Sequence, residues 1–449
     1  MPNILDLMNT DFTNFKDRKF NVVDSLILCE LAYICMPESI PKYNDDSNAV
    51  ATVPISDLLR SEDFLAMFSS GSAKVDEFRK NLLLSVVSNP RYRGMRVGEV
   101  LERFDESNID DSCEQQFAAV TFDLTDCIGS SCFVVAFRGT DNTLVGWKED
   151  FNMAFRCPVP AQESAAEYLL SISRRVCKDS CKSGGIRGIF SSVADYFANL
   201  FSKKSDFKKV NLDKVDLENS DNANSDNANG DLDKINLENS SDCNLSDNPK
   251  IFVAGHSKGG NMAAYAAMRL DSQDRSLGNH ISKIYSMDGP SFGSDIVNPN
   301  VFAHVSSRIE KVVPQSAFIG LIMDTGVPYK VTAADSIGLM QHFGMHWQVK
   351  DGDFDYCDCV TPRALAVSKA TNEWMMSLPF EERKRRIDSV YSIFSSLGYS
   401  TFDEMSSHWS EVVPKLLKIA MHMDSKTYEL IRSVMSAFAL AGGSSDKKS

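Results

Sequence analysis

The residues Gly255-His256-Ser257-Lys258-Gly259 conform to G-x-S-x-G, the pattern of a serine nucleophile held on a sharp strand-to-helix turn. The context fits that turn. An apolar run, IFVAG (251–255), leads into it, and the small-residue run MAAYAA (262–267) leads out. Such a turn forces the serine into strained backbone geometry, and its glycines relieve crowding where strand and helix approach. Ser257 then stands at a helix N-terminus, where free N–H groups favour developing negative charge. A hydroxyl in that position can attack an acyl carbon, provided that a base takes its proton and an acid orients the base.

With this kind of turn the order along the chain is Ser, then Asp or Glu, then His. Of seven histidines, His280, His304, His342, His346, His408 and His422 follow Ser257. His342 lies in SIGLMQHFGMHW, beyond the last strand-like run, where a final strand delivers a base; His346, four residues on, is its rival. The other four lie beside earlier strands or in helical surroundings and are read as structural or solvated. For the acid, Asp288 ends the strand-like run SKIYSMD before a Gly-Pro bend, with Glu310 and Asp324 as alternatives near the following strand. The carboxyl ends of strands line the crevice of a parallel sheet, which favours Asp288. An oxyanion needs one N–H from the residue after the nucleophile, here Lys258, and one from an early strand–loop junction. Thr140, in FRGTDNTLVGWKEDF (137–151), fits the second role; Arg138, Trp147 and Asp150 read as scaffolding of that loop.

The elements that must position these groups alternate. FNVVDSLILCELAYICM (20–36) carries apolar residues at helical spacing, with Asp24 as N-cap or first-turn acid. FAAVTFDL (117–124) and CFVVAF (132–137) predict two strands joined by a short Gly/Ser turn, the second covered on both faces. A helix is predicted over 161–177, strands at 282–290, 308–313 and 329–334, and a helical pattern from 362 onward. Strand–helix alternation implies an α/β fold with a mostly parallel sheet and helices on both faces. The expected division is 1–177 and 250–360 as two parts of one domain, 178–249 as an insertion, and 361–449 as a helical extension.

Within the insertion, residues 186–201 (IRGIFSSVADYFANLF) present one apolar face. That face suits packing on the core or contact with a lipid interface, and amphipathicity alone does not separate the two. Residues 203–249 hold LDKVDLENS and LDKINLENS twenty residues apart, with few aromatic residues. Such a tract cannot bury enough apolar surface to offset its chain entropy and is expected to be disordered.

The 449-residue chain carries 47 Lys+Arg against 61 Asp+Glu, a net charge of −14, and shows no basic patch for nucleic acid. Its 11 cysteines are scattered; Cys177/Cys181 and Cys357/Cys359 lack the second half of a metal site, and an odd count speaks against a disulfide framework. Neither a signal-peptide pattern nor a membrane-length apolar run is present, so a cytoplasmic location is expected.

FRGTDNTLVGWKEDF resembles the oxyanion-loop signature of the class 3 (fungal-type) lipases, and VAGHSKGGNMAAYAA resembles their elbow. The fuller resemblance is to a bacterial family of lipase-like α/β-hydrolases of unknown substrate, carried by VVDSLILCELAYI, GHSKGGN, YSMDGPSF, VPQSAFIGLIM and MQHFGMHW. It implies an α/β-hydrolase fold and a Ser257–Asp288–His342 triad. Two departures stand out: class 3 lipases carry the acid one strand later, near Glu310, and have Leu where this chain has Lys258. The expected activity is hydrolysis of a carboxylic ester, a small-molecule or lipid ester, without metal or cofactor. A non-catalytic binding or regulatory protein, or an acyltransferase with the same nucleophile, are the other readings.

Overall fold

The computed structural model describes residues 2–105, 115–141, 144–183, 248–293, 298–323, 326–399 and 408–421, with 425 and 428. The chain divides into two units, Met1–Ser180 with Asn248–Ser449, and Cys181–Asp247. The second unit lies almost wholly outside the described residues, and with it the helix expected at 186–201 and nearly all of the tract 203–249.

The first unit is an α/β fold built on a mixed sheet that has nine strands among the described residues. In spatial order these are β1 (Thr52–Pro54), β2 (Arg96–Asp105), β3 (Gln115–Asp123), β4 (Cys132–Phe137), β5 (Lys250–His256), β6 (Ile281–Met287), β7 (Ile309–Pro314), β8 (Tyr329–Thr332) and an edge strand, Tyr356–Cys357. Strands β4 to β8 run parallel. The β1–β2, β2–β3 and β3–β4 pairs and the far edge are antiparallel. The predicted strands at 117–124 and 132–137 are thus β3 and β4, but a helical turn, Thr125–Ile128, joins them in place of a bare Gly/Ser turn.

The central strands separate two cores. Val134 and Ala136 of β4 and Ala254 of β5 face one; Val135, Phe137, Ile251 and Val253 face the other. This is why these strands read as unbroken apolar runs. The first core is covered by the helix Val22–Ala32, in which every residue is buried. Asn21 caps it, and Asp24 in its first turn closes a capping box. Its acids are paired by distant cations: Asp24 accepts from Arg91 Nε at 2.9 Å and Nη2 at 2.7 Å, and Glu30 lies 3.3 Å from Arg79 Nε. The second core is covered by Pro160–Ser183 and by the elbow helix Lys258–Gln273. The C-terminal helices Pro362–Met376 and Phe380–Ser395 set Trp374, Met375 and Ile387 against Met153, Ala154 and Phe155. Among the described residues, no helix is long and apolar enough to cross a membrane.

Candidate functional site

Ser257 follows β5 and stands at the N-cap position of the elbow helix with φ 59° and ψ −133°, a positive-φ conformation that costs a non-glycine residue strain. The expected strained turn is present. The need for its glycines is steric: a Cβ on Gly255 would lie 2.0 Å from the backbone carbon of Gly259, and one on Gly259 would lie 2.2 Å from Phe137 O.

Asp288 follows β6, 1 % exposed and itself at φ 45°. Its amide donates to Val312 O of β7 at 2.8 Å, and its Oδ1 accepts from Gly320 N at 3.0 Å. The remaining oxygen, Oδ2, lies 2.6 Å from His342 Nδ1. His342 ends a 3-10 turn, Gly338–His342, after β8. The turn is anchored through Gln341, whose Nε2 donates to Ser336 O, while its Oε1 and main-chain oxygen accept from Ser316 N and Trp347 Nε1, all at 2.7 Å.

His256 joins this loop to the elbow. Its Nε2 donates to His342 O at 2.7 Å, and the two rings have centroids 4.6 Å apart. Burial, with the neighbouring His342, holds the His256 imidazole well below its usual titration range. In that neutral form Nδ1 is an acceptor, and Tyr33 OH lies 3.3 Å from it.

The rival residues sit elsewhere. His346 places its Nδ1 2.7 Å from Asp335 Oδ1, a separate pair on an exposed carboxylate. Glu310 lies early in β7, 2.9 Å from Lys330 Nζ and 3.8 Å from Lys283 Nζ, so it is not at the carboxyl end of its strand. Asp324 and His422 lie outside the described residues. His280 Nδ1 meets Pro249 O, His304 lies by Asp271 and Arg275, and His408 stacks on Tyr399.

The segment after β4 lies against the elbow: a Cβ on Gly139 would be 3.0 Å from Ser257 Cβ. Neither the Thr140 nor the Lys258 amide has a hydrogen-bond acceptor among the described residues. The Thr140 hydroxyl donates to Asp150 Oδ2, and Arg138 pairs with Glu102 at 2.8 Å. The side chain of Trp147 lies outside the described residues. Lys258 turns its side chain into the protein, onto Gln116 and Glu149.

Several residues at this site carried no assignment from the sequence. Tyr33 touches His256 from the buried helix's C-terminal end. Asn261 of the elbow helix donates to Ser291 O at 2.8 Å and Pro290 O at 3.2 Å, and accepts from Gln162 at 2.7 Å, which fixes the turn after Asp288. Gln116 and Glu149 receive Lys258. For Asn261 the signal is the one amide between Gly259 and Met268, a stretch otherwise free of charged or amide side chains.

A carboxylate on Nδ1 fixes the imidazole tautomer that leaves Nε2 able to accept a proton. Amides without acceptors at a helix N-terminus can receive a developing oxyanion. Among the described residues no group of three His, Cys, Asp or Glu side chains is placed to hold a metal ion. None of the curated proteins and none of the solved structures compared with the chain matches it. A family model described as Mbeg1-like matches residues 86–203 and 235–392, a span that contains Thr140, Ser257, Asp288 and His342 and more than half of the sequence, and the chain belongs to the Mbeg1-like family.

Proposed function

We propose that the protein is a serine hydrolase of α/β-hydrolase fold that cleaves carboxylic esters. The observation that carries this reading is the Asp288–His342 pair, 2.6 Å apart, with His342 on a loop that His256 ties to the strained Ser257 turn. In the proposed reaction Ser257 Oγ attacks the acyl carbon as its proton passes to His342 Nε2. Asp288 holds the imidazole and stabilises its charged form, and the Thr140 and Lys258 amides receive the oxyanion. His342 then gives the proton to the departing alcohol. Water, activated by the same imidazole, releases the acid from the acyl-enzyme.

The α/β-hydrolase reading is supported by the parallel strands β4 to β8, with the serine at the turn after β5 and the acid at the end of β6. Ile337, Met340 and Phe343 are exposed on the stretch that carries His342, which favours an ester with an apolar acyl group. A p-nitrophenyl ester series of rising chain length tests both parts. Turnover that rises with chain length and is absent from Ser257→Ala supports the reading. Turnover retained in Ser257→Ala contradicts it.

A further inference from the structure

We propose that Lys258 is a positioning residue for the oxyanion side of the site: its ammonium ties the nucleophile's own helix to Glu149 and Asp150, and through Asp150 it fixes Thr140. The inference rests on the serine-hydrolase reading above. A lysine side chain with no exposure loses the hydration of its charge, which only a full set of acceptors and a counter-charge can offset. Lys258 has both. Its three ammonium protons meet Gln116 O at 2.9 Å, Gln116 Oε1 at 3.0 Å and Glu149 Oε2 at 3.0 Å. All three acceptors belong to elements other than the elbow helix, at the start of β3 and in the helix Leu144–Asn152.

The two acids have different surroundings. Both oxygens of Glu149 have donors: besides Lys258 it accepts from Gln116 N at 2.9 Å and Ala161 N at 2.8 Å. Asp150 differs. Its Oδ2 accepts from the Thr140 hydroxyl, but its buried Oδ1 has no hydrogen-bond donor among the described residues and lies 3.7 Å from Lys258 Nζ. Burial pushes the Asp150 carboxyl up to about 6, with Glu149 adding to the rise and Lys258 and Thr140 opposing it. Lys258 is the cation facing this carboxylate, and Glu149 is its acidic neighbour. An ionised Asp150 holds the Thr140 hydroxyl, and with it the segment that lies against Ser257 at Gly139. An apolar residue at position 258 supplies the same backbone N–H but no such tether.

The test uses the full-length chain as wild type, Lys258→Met, Asp150→Asn and the double variant. A short p-nitrophenyl ester gives kcat and KM, a trifluoromethyl ketone reports binding of a tetrahedral adduct on Ser257, and thermal melting reports folding. Lys258→Met keeps the amide and removes the charge. Asp150→Asn leaves the ammonium with its three partners, so it carries the test by itself should Lys258→Met not fold. Each single variant should lose about tenfold to a hundredfold in kcat at unchanged KM, with ketone affinity falling by the same factor. The double variant should be no worse than the weaker single, because both act through one contact. A merely structural role lowers the melting temperature without that matched loss. Wild-type kcat and ketone affinity in Asp150→Asn, or losses that multiply in the double variant, overturn the inference. A wild-type protein that neither turns over the ester nor binds the ketone overturns the hydrolase reading itself.

Discussion

His256 Nε2 lies 2.7 Å from the main-chain oxygen of His342, so the residue before Ser257 holds the backbone of the residue that meets Asp288. The bond needs the proton on Nε2, and in the neutral ring the Tyr33 hydroxyl, 3.3 Å from Nδ1, can donate to that nitrogen. A second positive charge here would also face any imidazolium formed on His342, its ring 4.6 Å away.

The neutral His256 has a thermodynamic signature. Its folded pKa lies well below 6.5 because the ring is buried beside His342. Below about pH 6.5 the unfolded chain therefore binds a proton that the folded chain does not. Stability from this group is complete above that pH and falls as pH drops toward the folded pKa, by at most about 1.4 kcal/mol per pH unit. Urea unfolding at several pH values should show a shallower loss between about pH 6.5 and 5 in His256→Leu than in wild type. Equal slopes would remove His256 from this role.

The two histidines of the loop should behave differently. His342→Ala should lower kcat by several orders of magnitude, and Asp288→Asn should also depress turnover strongly while the protein still folds. His346→Ala loses only its pairing with the exposed Asp335 and should lose less than about tenfold. Steady-state kinetics on one short ester rank the three, and the opposite order of the histidines would move the base to His346.

Gly320 tests whether the Asp288 carboxylate must sit where it does. Its amide donates to Asp288 Oδ1, and a Cβ added to it would lie 2.2 Å from that same oxygen and 2.7 Å from Val313 Cγ1. Gly320→Ala should displace the carboxylate and lower kcat about a hundredfold, the order expected for a misplacement near 1 Å. Unaltered kcat in a variant with normal circular dichroism would show that the placement is not needed.

The Asp24–Arg91 pair supports the platform beneath the site. Both side chains are almost wholly buried, and Tyr92 OH also donates to Asp24. Removing the acid leaves a guanidinium without its counter-charge, so Asp24→Ala should destabilise the protein by about 3–5 kcal/mol. Denaturant unfolding measures this directly. A change below about 1 kcal/mol, the range of exposed pairs, would contradict the burial of the pair.

The elbow was legible because its signal is local: strand, turn and helix occupy consecutive residues, and the glycines at 255 and 259 are dictated by contacts a few ångströms away. Asp288 and His342 were legible as candidates, but their meeting depends on β6 and β8 lying two strands apart and on Gln341 anchoring the loop. Strand β2 escaped the sequence reading because its run RVGEVLERFD is broken by charges. Glu99, at φ 54° beside an irregularity in the β2–β3 ladder, turns inward to Arg175 at 2.9 Å, a partner 76 residues away. The sequence pattern assigns Lys258 a role through its amide alone. Its side chain meets Gln116 and Glu149, which no short-range pattern links to the elbow.

Covalent labelling by a fluorophosphonate probe, with the modified peptide identified by mass spectrometry, tests the role of Ser257 without reference to any substrate. A single adduct on Ser257 is expected in the wild-type protein, formed far more slowly in His342→Ala and not at all in Ser257→Ala. A folded wild-type protein that takes up no probe, or an adduct on a residue other than Ser257, would contradict that role.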